Sequence, residues 1–249
     1  MNPFETHGIA HLSASSLNTY AAQPAAWVAQ KLLKKTTPVG AAAHRGTAIE
    51  AGVALALTTG VDDEEAAKEA LRVFNLKTAF SGDARKEKEH DAVAPSVATA
   101  LSELRPYGPD VKCQEKISWM GEGIEVPFIG FVDFYWPKHG ILIDLKTQLR
   151  LNSEIKIGHA RQVGLYAGAL GDNVDARLTY VTPKKAATYG LENASTHVAS
   201  LLAIAHTLRR FLSISSDPRE LAALVLPDTD SFYWSDSAAR ATAWEIWGV

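Results

Sequence analysis

The sequence predicts a mixed α/β fold: a small central mixed β-sheet with helices before, within and after it. Three observations carry this. Between Ser13 and Leu104, capping residues alternate with apolar residues at helical spacing. From Val111 the pattern shortens to the two-residue period of strands. From Val198 it lengthens again, with Leu201, Leu202, Ala205, Leu208 and Leu212 on one helical face. There is no internal repeat and no low-complexity linker, so one domain is expected over 1–249. Within it, 1–110 is a helical part, 111–182 the sheet and its helix, and 183–249 the closing helices and an aromatic tail.

Taken in order, Ser13 caps a helix through Tyr20, and Pro24 opens a second to about Lys35, at a position that needs no N–H. Ala41 to Leu57 is a third helix. Asp62 and Asp63 cap a fourth, with Ala66, Ala70, Leu71 and Phe74 on one side. Ser81 to Asp91 is rich in charge and reads as a solvated loop or helix face. Val93 to Leu104 is helical and ends before Pro106. Lys112 to Met120, then Gly-Glu-Gly, then Ile124 to Phe128 reads as a hairpin. A second hairpin follows from Gly130. Asn152 or Ser153 caps a helix to about Leu170, and Val174 to Val181 is a strand. Pro183, Lys184 and Lys185 lead out of it. A short helix begins at Pro218 with Asp217 as its cap, and Phe232, Tyr233, Trp234, Trp244 and Trp247 mark the tail.

Apolar residues make up 47% and charged residues 21%, ordinary for a globular chain. A net charge of −3 argues against a DNA-coating role. It leaves a nucleic-acid enzyme open, because a metal site contributes acidic residues of its own. The single cysteine, Cys113, excludes an intrachain disulfide, a cysteine-based zinc cluster and a four-cysteine iron–sulfur cluster. No signal-peptide pattern opens the chain and no apolar run is long enough for a membrane, so a cytoplasmic location is expected.

The hairpin after Gly130 holds the most chemistry. Folding Phe131–Trp136 onto Ile141–Lys146 about the turn Pro137–Gly140 puts Trp136 opposite Ile141 and Asp133 opposite Asp144. Val132, Phe134, Trp136, Ile141, Ile143 and Leu145 then share an apolar face. Asp133, Asp144 and Lys146 share the other, with the two carboxylates about 5 Å apart. Like charges directly opposite are destabilising, and a divalent cation is the usual remedy. Upstream, Glu50 is the only charge between Thr47 and Leu57 in an otherwise apolar helix, where a lone carboxylate is costly unless paired or bound to metal. Pairing with Arg45 or Arg161 explains it as well as a metal does. Gly46, one turn before Glu50, suits a close approach of backbone or substrate. Asp133, Asp144 and Glu50 together offer the oxygen ligands that one or two Mg²⁺ ions require, and the Leu145 carbonyl is a further candidate.

Gly130-Phe131-Val132-Asp133, then Ile143-Asp144-Leu145-Lys146-Thr147, then Gln162-Val163-Gly164-Leu165-Tyr166 resembles the PD-(D/E)xK nuclease superfamily. The nearest branch is RecB-like, which includes phage and CRISPR-associated exonucleases. Arg45-Gly46-Thr47-Ala48-Ile49-Glu50 resembles that branch's helical Glu motif, and Leu12-Ser13-Ala14-Ser15 through Leu17 and Tyr20 to Pro24 its N-terminal signature. The resemblance implies a restriction-endonuclease-like αβββαβ core. It implies Glu50, Asp133 and Asp144 as metal ligands, Lys146 as the catalytic lysine, and Gln162 and Tyr166 along the DNA-end side. Lys184 and Lys185 are further DNA-binding candidates, as they follow the next strand. Two departures matter: Gly46 stands where many relatives have a histidine, and Gln23 where cluster-bearing relatives have a cysteine.

The implied activity is Mg²⁺-dependent hydrolysis of DNA, with Mn²⁺ as a substitute, without an iron–sulfur cluster, and with exonuclease favoured over endonuclease. The implied setting is bacterial or phage recombination, repair or DNA processing, on the ends of linear DNA, with a single-strand annealing or recombination protein as partner. The alternative is a catalytically silent nuclease fold that binds DNA or a recombination partner.

Overall fold

The computed structural model describes residues 2–171 and 173–249. In chain order the elements are α1 (Pro3–Thr6), α2 (Ala14–Ala22), α3 (Pro24–Lys31), α4 (Ala41–Thr59), α5 (Asp63–Lys77), α6 (Lys86–Asp91) and α7 (Val93–Leu104). The strands β1 (Lys112–Trp119), β2 (Phe128–Trp136) and β3 (Ile141–Thr147) follow, then α8 (Ile157–Leu170), β4 (Asp175–Val181) and β5 (Ala186–Gly190). Helices α9 (Ala194–Leu212), α10 (Pro218–Ala222) and α11 (Ser237–Trp247) complete the chain. The sheet runs β1-β2-β3-β4-β5, mixed as expected. β2 is antiparallel to β3, β3 parallel to β4, and β4 antiparallel to β5. The parallel pair needs a long crossover, and α8 supplies it. Among the described residues no helix is long and apolar enough to cross a membrane.

Several boundaries differ from the sequence expectation. Helix α3 stops at Lys31 rather than Lys35, because Lys34 adopts a left-handed φ of 56° and the Lys35 amide turns back to the Ala29 carbonyl at 2.8 Å. Helix α8 starts at Ile157 with Lys156 at its N-cap, so neither Asn152 nor Ser153 caps it. Ile124–Phe128 is not a strand of its own, since only Phe128 enters β2. Strand β5 was not expected. Its Ala-Ala-Thr-Tyr-Gly sequence lacks an apolar alternation, and pairing with β4 alone defines it. The charge-rich stretch is only partly solvated: Glu89 is 3% exposed and paired with Arg45.

The chain divides into two compact units. One comprises Val39–Lys116 and Phe131–Ala194. Its core joins Ile49, Val53 and Leu57 of α4, Phe74 of α5, and Val97 and Leu101 of α7 to Phe134, Trp136, Ile143 and Leu145. Those four belong to the apolar hairpin face that the alternation predicts. The buried Trp136 indole N–H finds a partner in the Gly108 carbonyl at 2.8 Å. At Gly52 a Cβ would lie 2.5 Å from the Ala66 carbonyl oxygen, so glycine is what lets α4 and α5 pack this closely.

The other unit comprises Met1–Pro38, Ile117–Gly130 and Ser195–Val249. Ala25, Ala26 and Ala29 of α3 pack with Trp234, Ala239 and Ala243, and the rings of Trp234 and Trp247 meet edge-on at 5.8 Å. The buried Gln23 side chain donates to Ser231 Oγ at 3.2 Å and to the Asp228 carbonyl at 3.4 Å, tying the start of α3 to the segment before α11. Ser13 caps α2 as expected, accepting from the Ser16 amide at 3.2 Å.

Candidate active site

The β2–β3 hairpin closes on Gly140 at a φ of 62°, with the Gly140 amide donating to the Pro137 carbonyl at 3.3 Å. Its observed pairs are Trp136 with Ile141, Tyr135 with Leu142, and Phe134 with Ile143. Continued by one residue, this is the expected register of Asp133 beside Asp144. Asp133 is 9% exposed and Asp144 fully buried.

The two carboxylates are held differently. Asp133 Oδ2 accepts the Leu145 amide N–H at 2.8 Å, and its Oδ1 accepts from the Gln114 side chain at 3.2 Å. Neither Asp144 oxygen accepts a well-formed hydrogen bond, although the Lys146 ammonium stands 2.6 Å from Oδ2. A fully buried carboxylate with lone pairs to spare is costly in this form. Burial raises the Asp133 pKa well above the ordinary carboxylate range, and the charges of Asp144 and Glu50 push the same way. Burial would lower the Lys146 pKa, but Asp144 and Asp133 outweigh it, so the lysine holds its proton firmly.

Glu50 reaches this group from α4. Its helix lies close to β3 at Gly46, where a Cβ would come within 3.3 Å of Thr147 Oγ1. Glu50 is half-buried rather than enclosed. Its partner is the Gln114 side-chain amide, which donates to Oε1, while Arg45 is paired with Glu89. Burial raises the Glu50 pKa, the Gln114 bond opposes this, and the Asp144 charge adds to the rise. Among the described residues no three Asp, Glu, His or Cys side chains are gathered at ligand spacing. Glu50, Asp133 and Asp144 thus lie within electrostatic reach without forming a closed cage, as expected of mutually repelling anions. The donor set suits a hard divalent cation: carboxylate oxygens, one of them buried with unused lone pairs.

Gln162 and Tyr166 sit together on α8, where the Gln162 amide donates to Tyr166 Oη at 2.8 Å. Burial raises the Tyr166 pKa to about 12, and the Asp144 charge adds to the rise. Lys184 and Lys185 are exposed in the β4–β5 turn, where their backbone amides bond to Thr182 Oγ1, outside the hydrogen-bonded group around the carboxylates.

Sequence reasoning missed two parts of this arrangement. Gln114 left no signal, because its side chain matters only through a backbone φ of 54° inside β1. His159 carries no signal in the sequence, since no ligand spacing links it to another histidine. Its Nδ1 lies 2.8 Å from Tyr180 Oη, and that oxygen accepts the Lys156 amide N–H at 3.1 Å. The tyrosine O–H is then free to donate to a neutral ring. Burial lowers the His159 pKa to about 4, helped by the charge of Lys146.

The family model of the PD-(D/E)XK nuclease superfamily matches residues 11–244. Among solved structures the chain is similar to the crystal structure of SSO0001, at 20% identity and a TM-score of 0.35. That likeness covers 44% of this chain and 55% of the other, so the chain spans about half of that protein's length. No curated protein sequence matches.

Proposed function

The chain belongs to the PD-(D/E)XK nuclease superfamily, and from that membership we propose that it is a divalent-cation-dependent deoxyribonuclease acting on the ends of linear DNA. The superfamily is generally one of hydrolytic nucleases, which implies DNA as substrate. Exonuclease action, Mg²⁺ as the cation with Mn²⁺ as substitute, and a place in phage or bacterial recombination and repair belong to our reading. So does membership of a RecB-like branch without an iron–sulfur cluster.

The observation that carries the reading is Asp144, fully buried, with two oxygens lacking well-formed hydrogen bonds and an ammonium 2.6 Å away. As structure alone this is a poor use of a carboxylate, whereas as a cation ligand it is a prepared one. Asp133, Glu50 and the Leu145 carbonyl would complete the oxygen set. The bound cation would lower the pKa of a water molecule and offset charge building on the phosphate. Lys146, held as an ammonium by Asp144 and Asp133, is placed to donate to a non-bridging phosphate oxygen as negative charge grows there. The Leu145 amide fixes Asp133 at 2.8 Å and so sets its free oxygen. Gln162 and Tyr166 present an amide and a hydroxyl on one helix face, suited to a phosphate or to stacking with a terminal base. Lys184 and Lys185 would meet the backbone further along. Water adds to phosphorus, the phosphorus–oxygen bond to the leaving nucleoside breaks, and that oxygen takes up a proton.

The test is nucleotide release from end-labelled linear DNA in Mg²⁺ or Mn²⁺, with circular DNA and Asp144→Ala as controls. Release from linear but not circular substrate, lost in Asp144→Ala, is expected. No release by the wild type, or equal release by Asp144→Ala, overturns the reading and leaves a DNA-binding, catalytically silent fold.

A further inference from the structure

Among the described residues, Gln114 is the side chain that hydrogen-bonds to both Glu50 and Asp133. Its amide nitrogen donates to Glu50 Oε1 and, at 3.2 Å, to Asp133 Oδ1. It does so from a left-handed φ of 54°, a conformation disfavoured for a non-glycine residue and out of place in a strand. The side chain is solvent-exposed, so no burial of apolar surface offsets that cost. Asp144, whose charge acts on both of those carboxylates, is fully buried with oxygens lacking well-formed bonds. An –NH₂ group that bonds to two carboxylates stands where a cation shared by those carboxylates would stand.

A primary amide is nearly symmetric in shape and opposite in chemistry at its two ends. With the N–H end inward it satisfies two anions. With the chain rotated half a turn about Cγ–Cδ, it presents a carbonyl oxygen at nearly the same place. Hard cations accept amide carbonyls alongside carboxylates. We propose that Gln114 is a ligand of the metal site that turns its amide when a divalent cation binds, supplying Oε1 as a neutral oxygen beside Glu50 and Asp133. In the metal-free chain the same amide keeps the two anions from swinging away from each other. The proposal rests on the nuclease-site reading above and adds to it the ligand that a three-carboxylate description omits.

The opposing account is that the amide merely competes with the cation, and the two accounts predict opposite signs. Mn²⁺ binding is measured by calorimetry on the full chain, for wild type, Gln114→Met and Gln114→Glu, with thermal unfolding in chelator to show that each variant folds. Methionine keeps the length but lacks both the donor and the hard oxygen. If Gln114 is a ligand, Gln114→Met binds Mn²⁺ about 10-fold more weakly than wild type, and Gln114→Glu binds at least as tightly as wild type. Binding by Gln114→Met as tight as wild type or tighter overturns the proposal, as does Gln114→Glu binding no better than Gln114→Met. Asp144→Ala is measured alongside. If that variant binds Mn²⁺ like wild type, the underlying metal-site reading falls, whatever Gln114 does.

Discussion

Arg45 of α4 and Glu89 of α6 form an ion pair with both side chains 4% exposed. Burial lowers the Arg45 pKa, and the Glu89 charge and hydrogen bond work against that fall. Buried pairs add little net stability over apolar residues, but breaking one strands a charge. We therefore expect Glu89→Gln to destabilise the chain by about 3–5 kcal/mol. The double variant Arg45→Met, Glu89→Leu should recover most of that loss. Urea denaturation reads both, and a double variant no more stable than Glu89→Gln would refute the argument. The pair also settles one alternative for Glu50, since Arg45 is committed elsewhere.

Glycine serves two different ends along α4. At Gly52 an added Cβ would meet the Ala66 carbonyl oxygen at 2.5 Å and the Ala70 methyl at 2.9 Å, and a backbone atom cannot step aside. Gly52→Ala should cost about 1–3 kcal/mol despite the better helix propensity of alanine. At Gly46 the obstacle is the Thr147 hydroxyl at 3.3 Å, which rotates. Gly46→Ala should be milder by at least about 1 kcal/mol. Thermal unfolding of the two single variants checks the order, and Gly46→Ala proving the worse would invert the account.

What the sequence made readable and what it hid follow from the range of the forces involved. The hairpin register was readable because a period-two alternation and a turn ending in Gly140 determine it locally, and Trp136 does pair with Ile141. Glu50 stood out because one charge in an apolar helix is a local anomaly. Its partner was hidden, because Gln114 lies 64 positions away and acts through a backbone angle that no residue type announces. Strand β5 was hidden for a related reason: Ala186 and Ala187 have no strand preference, and pairing with Val181 and Tyr180 defines them. Helix α8 began late because Lys156 donates its amide to Tyr180 rather than leaving the start to Asn152 or Ser153.

On the proposed reading, Lys146 would separate holding a cation from using it. Its ammonium is 2.6 Å from Asp144 and its side chain 25% exposed, so one side faces the carboxylate and another remains open to solvent. Lys146→Met should lower the single-turnover rate of DNA hydrolysis by about 100-fold or more. Mn²⁺ affinity should not fall, because the lysine is a competing positive charge rather than a ligand. A parallel loss of rate and Mn²⁺ affinity would assign it to keeping the site assembled instead.

His159 gives the chain an acid-side liability with a definite sign. Burial, with the charges of Lys146 and Lys156, lowers its pKa from an ordinary 6.5 to about 4, against the opposing pull of Asp144. Between those values the unfolded chain takes up a proton that the folded ring refuses. Stability present above pH 6.5 is therefore lost as pH falls toward 4, by on the order of 1–2 kcal/mol. Asp133 and Glu50 act in the opposite direction, since their raised pKa values make protonation easier in the folded chain. The ring's own share is thus visible only as a difference between variants. His159→Asn keeps an acceptor for the Tyr180 hydroxyl and cannot titrate, so its stability should fall less steeply than wild type across that window. Urea midpoints at half-unit pH steps, in chelator, measure the difference in slope. Coincident slopes would mean that the folded ring takes up its proton as readily as the unfolded one, and that Tyr180 does not donate to it.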